Sequence, residues 1–110
     1  MIIDRNGNIT VITQEKASVI ELVKKLDVMY NGFKNDNIVV SLTGLKPVSL
    51  QDVVEFLKIS NDHRAAKNSF VVVASNANFD EMPDEIVVVP TLKEAYDVIE
   101  MEEMERDLGF

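Results

Sequence analysis

Residues 37–74 read NIVVSLTGLKPVSLQDVVEFLKISNDHRAAKNSFVVVA, and the two ends of this stretch decide the fold. Ile38-Val39-Val40-Ser41-Leu42 and Phe70-Val71-Val72-Val73-Ala74 are short β-branched runs, the composition of strands covered on both faces. Between them Pro47 and Ser49 announce a helix. Ser49 can cap the first turn, Asp52 sits at a favourable acidic position, and Leu50, Val53, Val54 and Leu57 form an inward stripe on a helix running to about Ala66. Strand, helix, strand in that order predicts a parallel pair joined by a right-handed crossover.

The flanking sequence extends the pattern in both directions. Upstream, Ile2-Ile3-Asp4 and Ile9-Thr10-Val11-Ile12 flank Arg5-Asn6-Gly7-Asn8, and the Asn-Gly pair predicts an opening β-hairpin. From about Gln14 to Tyr30, the apolar residues Val19, Ile20, Val23, Leu26 and Tyr30 recur at helical spacing, with Asn31-Gly32 as the stop signal. Downstream, Ile86-Val87-Val88-Val89 repeats the buried-strand composition after the polar loop Ser75 to Glu85, and both late strands are expected in or near the sheet interior. Thr91-Leu92-Lys93-Glu94 is a capping box after Pro90, which starts a last helix from about 92 to 108. The expected fold is an α/β mixed sheet with an N-terminal β-hairpin, parallel crossovers and three main helices, in the order β-β-α-β-α-β-β-α.

Composition narrows the function classes. At 110 residues the chain suits a single domain spanning 1–110, and 46% hydrophobic content is enough for one core. There is no cysteine, so disulfides, thiolate metal sites and thiol catalysis are excluded, and a cytoplasmic, reducing location is expected. The first residues lack the charged start and long apolar stretch of a signal peptide and no apolar run reaches membrane length, so neither a secreted nor a membrane-spanning protein is expected. Net charge is −8 and unevenly spread: residues 1–79 hold nine basic and eight acidic side chains, residues 80–110 two and eleven. An acidic end and scattered basic residues disfavour nucleic acid and favour a protein partner with a basic surface.

The segment from Asn37 to Ala74 resembles the centre of a STAS domain, the fold of anti-sigma factor antagonists: a strand ending in Leu42-Thr43-Gly44-Leu45, a short connection, a helix carrying Val54 and Leu57, then a Val-rich strand. Val87-Val88-Val89-Pro90-Thr91-Leu92-Lys93-Glu94-Ala95 resembles that family's closing strand and last helix. The resemblance implies a STAS-like sheet and a signalling role without catalysis. Two departures qualify it. The family's Asp-Ser-Ser-Gly signature, which holds the phosphorylated serine, here reads Ser49-Leu50-Gln51-Asp52, so the phosphorylation switch does not carry over. Ser75 to Glu85 is also too short for the helix that family members place there, which would leave one sheet face less covered, to be taken as a homodimer surface or offset by the long last helix. The chain is similar as well to short bacterial proteins labelled ribonuclease Z, yet it has one histidine and cannot supply that enzyme's metal-binding cluster.

No catalytic residues and no cofactor are expected. His63, in Ser60-Asn61-Asp62-His63-Arg64, reads as a solvated surface histidine, because its neighbour Asp62 points elsewhere on a helix. Glu102, Glu103, Glu105 and Asp107 read as a solvated acidic face and not as a metal site, since a straight helix splays its side chains. The expected partner-binding residues are Lys46, Ser49 and Gln51 at the start of the second helix, and Met101, Met104, Leu108 and Phe110, whose last turns are expected to overhang the sheet and to suit a basic-rimmed apolar groove. The function expected is a non-catalytic STAS-like interaction domain. Two alternatives are an accessory protein of an RNA-processing enzyme and a ligand binder with a pocket near Thr43, Ser75 and Asn76.

Overall fold

The structure is a computed structural model that describes residues 2–14, 18–42, 48–75 and 77–109. Expectations resting on Thr43, Gly44, Leu45, Lys46, Pro47, Asn76 and Phe110 lie outside the described residues.

The opening hairpin pairs β1 (Ile2–Asn6) with β2 (Ile9–Thr13) antiparallel, with Asn6 opposite Ile9. The loop is Gly7-Asn8, one residue later than the Asn-Gly pair suggests, and Gly7 alone takes a positive φ, of 64°. β3 (Asn37–Ser41), β4 (Phe70–Val73) and β5 (Val87–Val89) follow, and the sheet has the order β1-β2-β3-β4-β5. From β2 onward every neighbouring pair is parallel, with Val11 beside Val39, Val39 beside Val71 and Val71 beside Val87. β5 is therefore an edge strand and only half-buried, whereas β3 and β4 are buried along their whole length.

The pleat sends alternate residues into two cores. Ile12, Ile38, Val40, Leu42, Phe70 and Val72 face α1 (Val19–Met29), α2 (Leu50–Val54) and α3 (Leu57–Ala65). Val11, Val39, Val71 and Val73 face α4 (Leu92–Asp107) through Ala95 and Ile99. Three helices on one face are what successive parallel crossovers of a single hand produce. The segment between β4 and β5 forms only a short 3-10 turn, Phe79–Glu81, and Ala77, Met82 and Ile86 fill the first core in place of a helix. The thinning of that face expected from the short loop is offset by these three side chains.

Several boundaries differ from the sequence reading. α1 begins at Val19, capped by Ser18, whose hydroxyl accepts the Glu21 N–H at 3.2 Å. Its inward residues are Val19, Leu22 and Leu26, which rotates Ile20 outward to 54% exposure. Gly32 closes a 3-10 turn and does not serve as a left-handed cap. The helix expected from Ser49 to Ala66 is broken around Glu55-Phe56 into α2 and α3. Of the expected stripe Val53 is buried and Leu57 packs half-buried against the core, while the break adds Phe56, Ile59, Ser60 and His63 to the inward side and leaves Leu50 exposed.

Candidate functional site

Two surfaces carry the residues singled out by sequence, and they lie at opposite ends of the molecule's parallel strands. The first is the start of α2. Ser49 caps it in an extended conformation, its hydroxyl accepting the Asp52 N–H at 3.2 Å while Asp52 accepts the Ser49 N–H at 3.1 Å. Both partners of the capping box hold each other in place. A phosphoryl group on Ser49 would crowd the Asp52 carboxylate, which already occupies this anion-favouring turn. Leu50 and Gln51 are exposed beside it, Gln51 reaching Glu55 at 3.4 Å.

The second is the outer face of α4. Its inner face is Ala95 and Ile99 in the early turns, then a set of polar ties in the last ones. Glu102 pairs with Arg64 at 3.1 Å, Glu103 accepts from the amides of Asn8 and Asn37 at 2.7 and 2.5 Å, and Arg106 donates to the Ser69 hydroxyl at 3.1 Å. Glu102 and Glu103 are thus bound partners of the domain, which corrects the expectation that they belong to a solvated acidic face. The last turns do not overhang free of the domain: they lie across the amino-terminal ends of β3 and β4. With 102, 103 and 106 turned inward, the intervening Met101, Met104 and Leu108 point out, at 62, 58 and 71% exposure. Glu100 and Glu105 flank them and are exposed too.

His63 is fully buried, a second correction. Its Nε2 lies 2.6 Å from the Asp36 carbonyl, which can only accept, so Nε2 carries the proton and Nδ1 accepts from the Tyr30 hydroxyl at 2.6 Å. The ring meets Tyr30 and Phe70 edge-on, at centroid distances of 5.5 and 6.3 Å. Burial is the main cause that lowers the His63 pKa below 6.5, against the opposing pull of the Asp36 carbonyl. Burial and the Asp62 charge raise that of Tyr30. Asp36 also accepts from Thr10 at 2.9 Å and pairs with Arg5 at 3.1 Å, tying the hairpin to the same point. This arrangement holds elements together and leaves no open face for a substrate. Sequence reasoning missed it because the stripe was followed along Val54 and Leu57, whereas Phe56, Ile59, Ser60 and His63 share the true inward face.

Among the described residues no group of three or more His, Cys, Asp or Glu side chains is placed to hold a metal ion, and no helix is long and apolar enough to cross a membrane. Of the pocket expected near Thr43, Ser75 and Asn76, only Ser75 is described, and it is exposed.

A five-stranded sheet opening in a hairpin, continuing parallel and closing in a helix on the opposite face matches known structures. A single-substitution variant of RsbS from Moorella thermoacetica superposes with a TM-score of 0.67 over 91% of this chain and 94% of its own, at 14% identity. The fold is STAS-like. A chain from the stressosome, described as a signal integration and transduction hub, gives 0.59 over 91% of this chain and 96% of its own, at 16% identity. No protein-family model matches the sequence, and no curated protein matches it either. The STAS-like fold is thus shared in backbone and almost lost in sequence. Neither of these two structures is a ribonuclease Z.

Proposed function

We propose that this chain is a non-catalytic regulatory domain that binds a protein partner. The observation that carries the reading is the outer face of α4, where Met101, Met104 and Leu108 stand exposed on a helix whose other side is fixed by side-chain contacts from Glu102, Glu103 and Arg106. Exposed apolar side chains on a pre-ordered helix bind without the entropy cost of folding the segment. Methionines adapt to the shape of a groove, and the flanking Glu100 and Glu105 favour a basic rim on the partner. The STAS-like fold it shares with RsbS and with a stressosome chain supports a signalling role. The exposed start of α2, with Ser49, Leu50 and Gln51 and with Lys46 preceding it in sequence, is a second contact surface in this reading. The assembly is cytoplasmic, and a second copy of the chain is one candidate partner.

Affinity capture tests this with the full chain, a Met101→Ser/Met104→Ser double variant and a Gln51→Arg variant, followed by mass spectrometry. A protein retained by the full chain and lost by the methionine variant supports the α4 surface. Identical captured sets for all three folded proteins would remove both surfaces from consideration.

A further inference from the structure

The last turn of α4 and the end of α3 enclose a cleft of about 360 Å³ lined by Arg64, Lys67, Asn68, Arg106 and Gly109. We propose that this cleft binds the phosphate group of a small phosphorylated molecule.

Charge is the first argument. The chain carries −8 overall, yet three of its eleven basic side chains meet here. Among the described residues Arg106 donates to neutral acceptors, the Ser69 hydroxyl at 3.1 Å and the Asn37 amide oxygen at 3.4 Å. Lys67 forms no ion pair among the described residues. Arg64 is neutralised by Glu102, and a second bond to the Phe70 carbonyl at 3.1 Å holds its guanidinium plane. Glu103 and Asp107 lie along an adjoining cleft that Lys67 and Arg106 also line, and Glu103 is turned to the amides of Asn8 and Asn37. Three cations and no carboxylate line this cleft, and Arg106, anchored through one N–H of each terminal nitrogen, keeps its other N–H groups for an oxyanion; such a set matches a phosphate better than a single carboxylate.

Backbone strain is the second and independent argument. α3 ends in a tight left-handed turn in which the Lys67 N–H reaches the Arg64 carbonyl at 2.9 Å and the Asn68 N–H reaches the His63 carbonyl at 3.2 Å. That turn favours glycine, but Lys67 takes it with φ of 66°, the one side-chain-bearing residue among those described to do so. A lysine can serve the helix dipole from unstrained positions one turn earlier. What this position adds is an ammonium group at the mouth of the cleft, and strained residues gather where a ligand is held. The volume admits a phosphate with a small organic body attached.

Amide chemical shifts of the full chain are followed while inorganic phosphate is added, against sodium chloride at equal ionic strength. Saturable shifts at Lys67, Asn68 and Gly109 are expected. Lys67→Gly should weaken the apparent affinity about tenfold, equivalent to about 1.4 kcal/mol, while leaving the unfolding midpoint unchanged or higher because strain is relieved. Lys67→Asn, which also tolerates the left-handed turn, should bind as weakly as the glycine variant. Shifts spread evenly over the surface, shifts reproduced by chloride, or full affinity in the two Lys67 variants would overturn the assignment.

Discussion

A single hydrogen-bond direction fixes the state of His63. The Asp36 carbonyl can only accept and so keeps a proton on Nε2, while burial disfavours a second proton on Nδ1, which accepts from the Tyr30 hydroxyl. The folded pKa lies below the ordinary 6.5, so between those two values the unfolded chain binds a proton that the folded chain refuses. Stability therefore rises with pH through that window, is fully present above about 6.5, and is lost progressively as pH falls. We expect a lower urea midpoint at pH 5 than at pH 7.5. His63→Gln should remove the histidine share of that difference while costing about 1–3 kcal/mol at pH 7.5, since Tyr30 or Asp36 loses a partner. An unchanged pH difference in the variant would show that carboxylates elsewhere account for it.

At the scale of an element, α4 shows how much could be read in advance. α4 was legible in its start, through Thr91 and Glu94, and in its length, because the capping signal and a run of strong helix formers are local. Its inward side was not, because half of that side is polar: Glu102, Glu103 and Arg106 bury themselves against Arg64, Asn37 and Ser69, partners far away in sequence. Hydrophobic periodicity cannot register a face built that way. The same limit hid His63, and the break at Phe56 hid the change of the stripe, while the strands stood out because covering on both faces leaves Ile38-Val39-Val40 and Phe70–Val73 without a polar residue. The proposed partner-binding residues on α4 were readable only as apolar side chains that the core pattern did not absorb. The two sides of α4 give a direct contrast. Ile99→Ala should cost about 2–4 kcal/mol, because Ile99 is buried against the sheet. Met101→Ala, on the exposed side, should change stability by less than about 0.5 kcal/mol. Thermal denaturation of both variants checks this, and a large loss for Met101→Ala would mean that the outer stripe is already packed.

Across the whole molecule, protection runs from the middle of the sheet outward. β3 and β4 are covered by α1, α2 and α3 on one face and by α4 on the other, while β1 is exposed along its length and α4 contacts β3, β4 and β5. Opening the centre requires losing both cores, but lifting β1 exposes little apolar surface and breaks one ladder. Local opening free energies follow that difference. Amides of Val39, Val40, Val71 and Val72 should exchange with solvent only through global unfolding, and their exchange should respond to denaturant with the full unfolding slope. Those of β1 should exchange faster by several orders of magnitude and respond weakly. Equal protection in β1 and β3 would require a cover over the hairpin edge, and a second copy of the chain is the first candidate for it. The proposed function would follow the same gradient in reverse: the α2 start and the α4 outer face are presented by elements fixed on a covered centre, so a partner would meet surfaces that are already shaped.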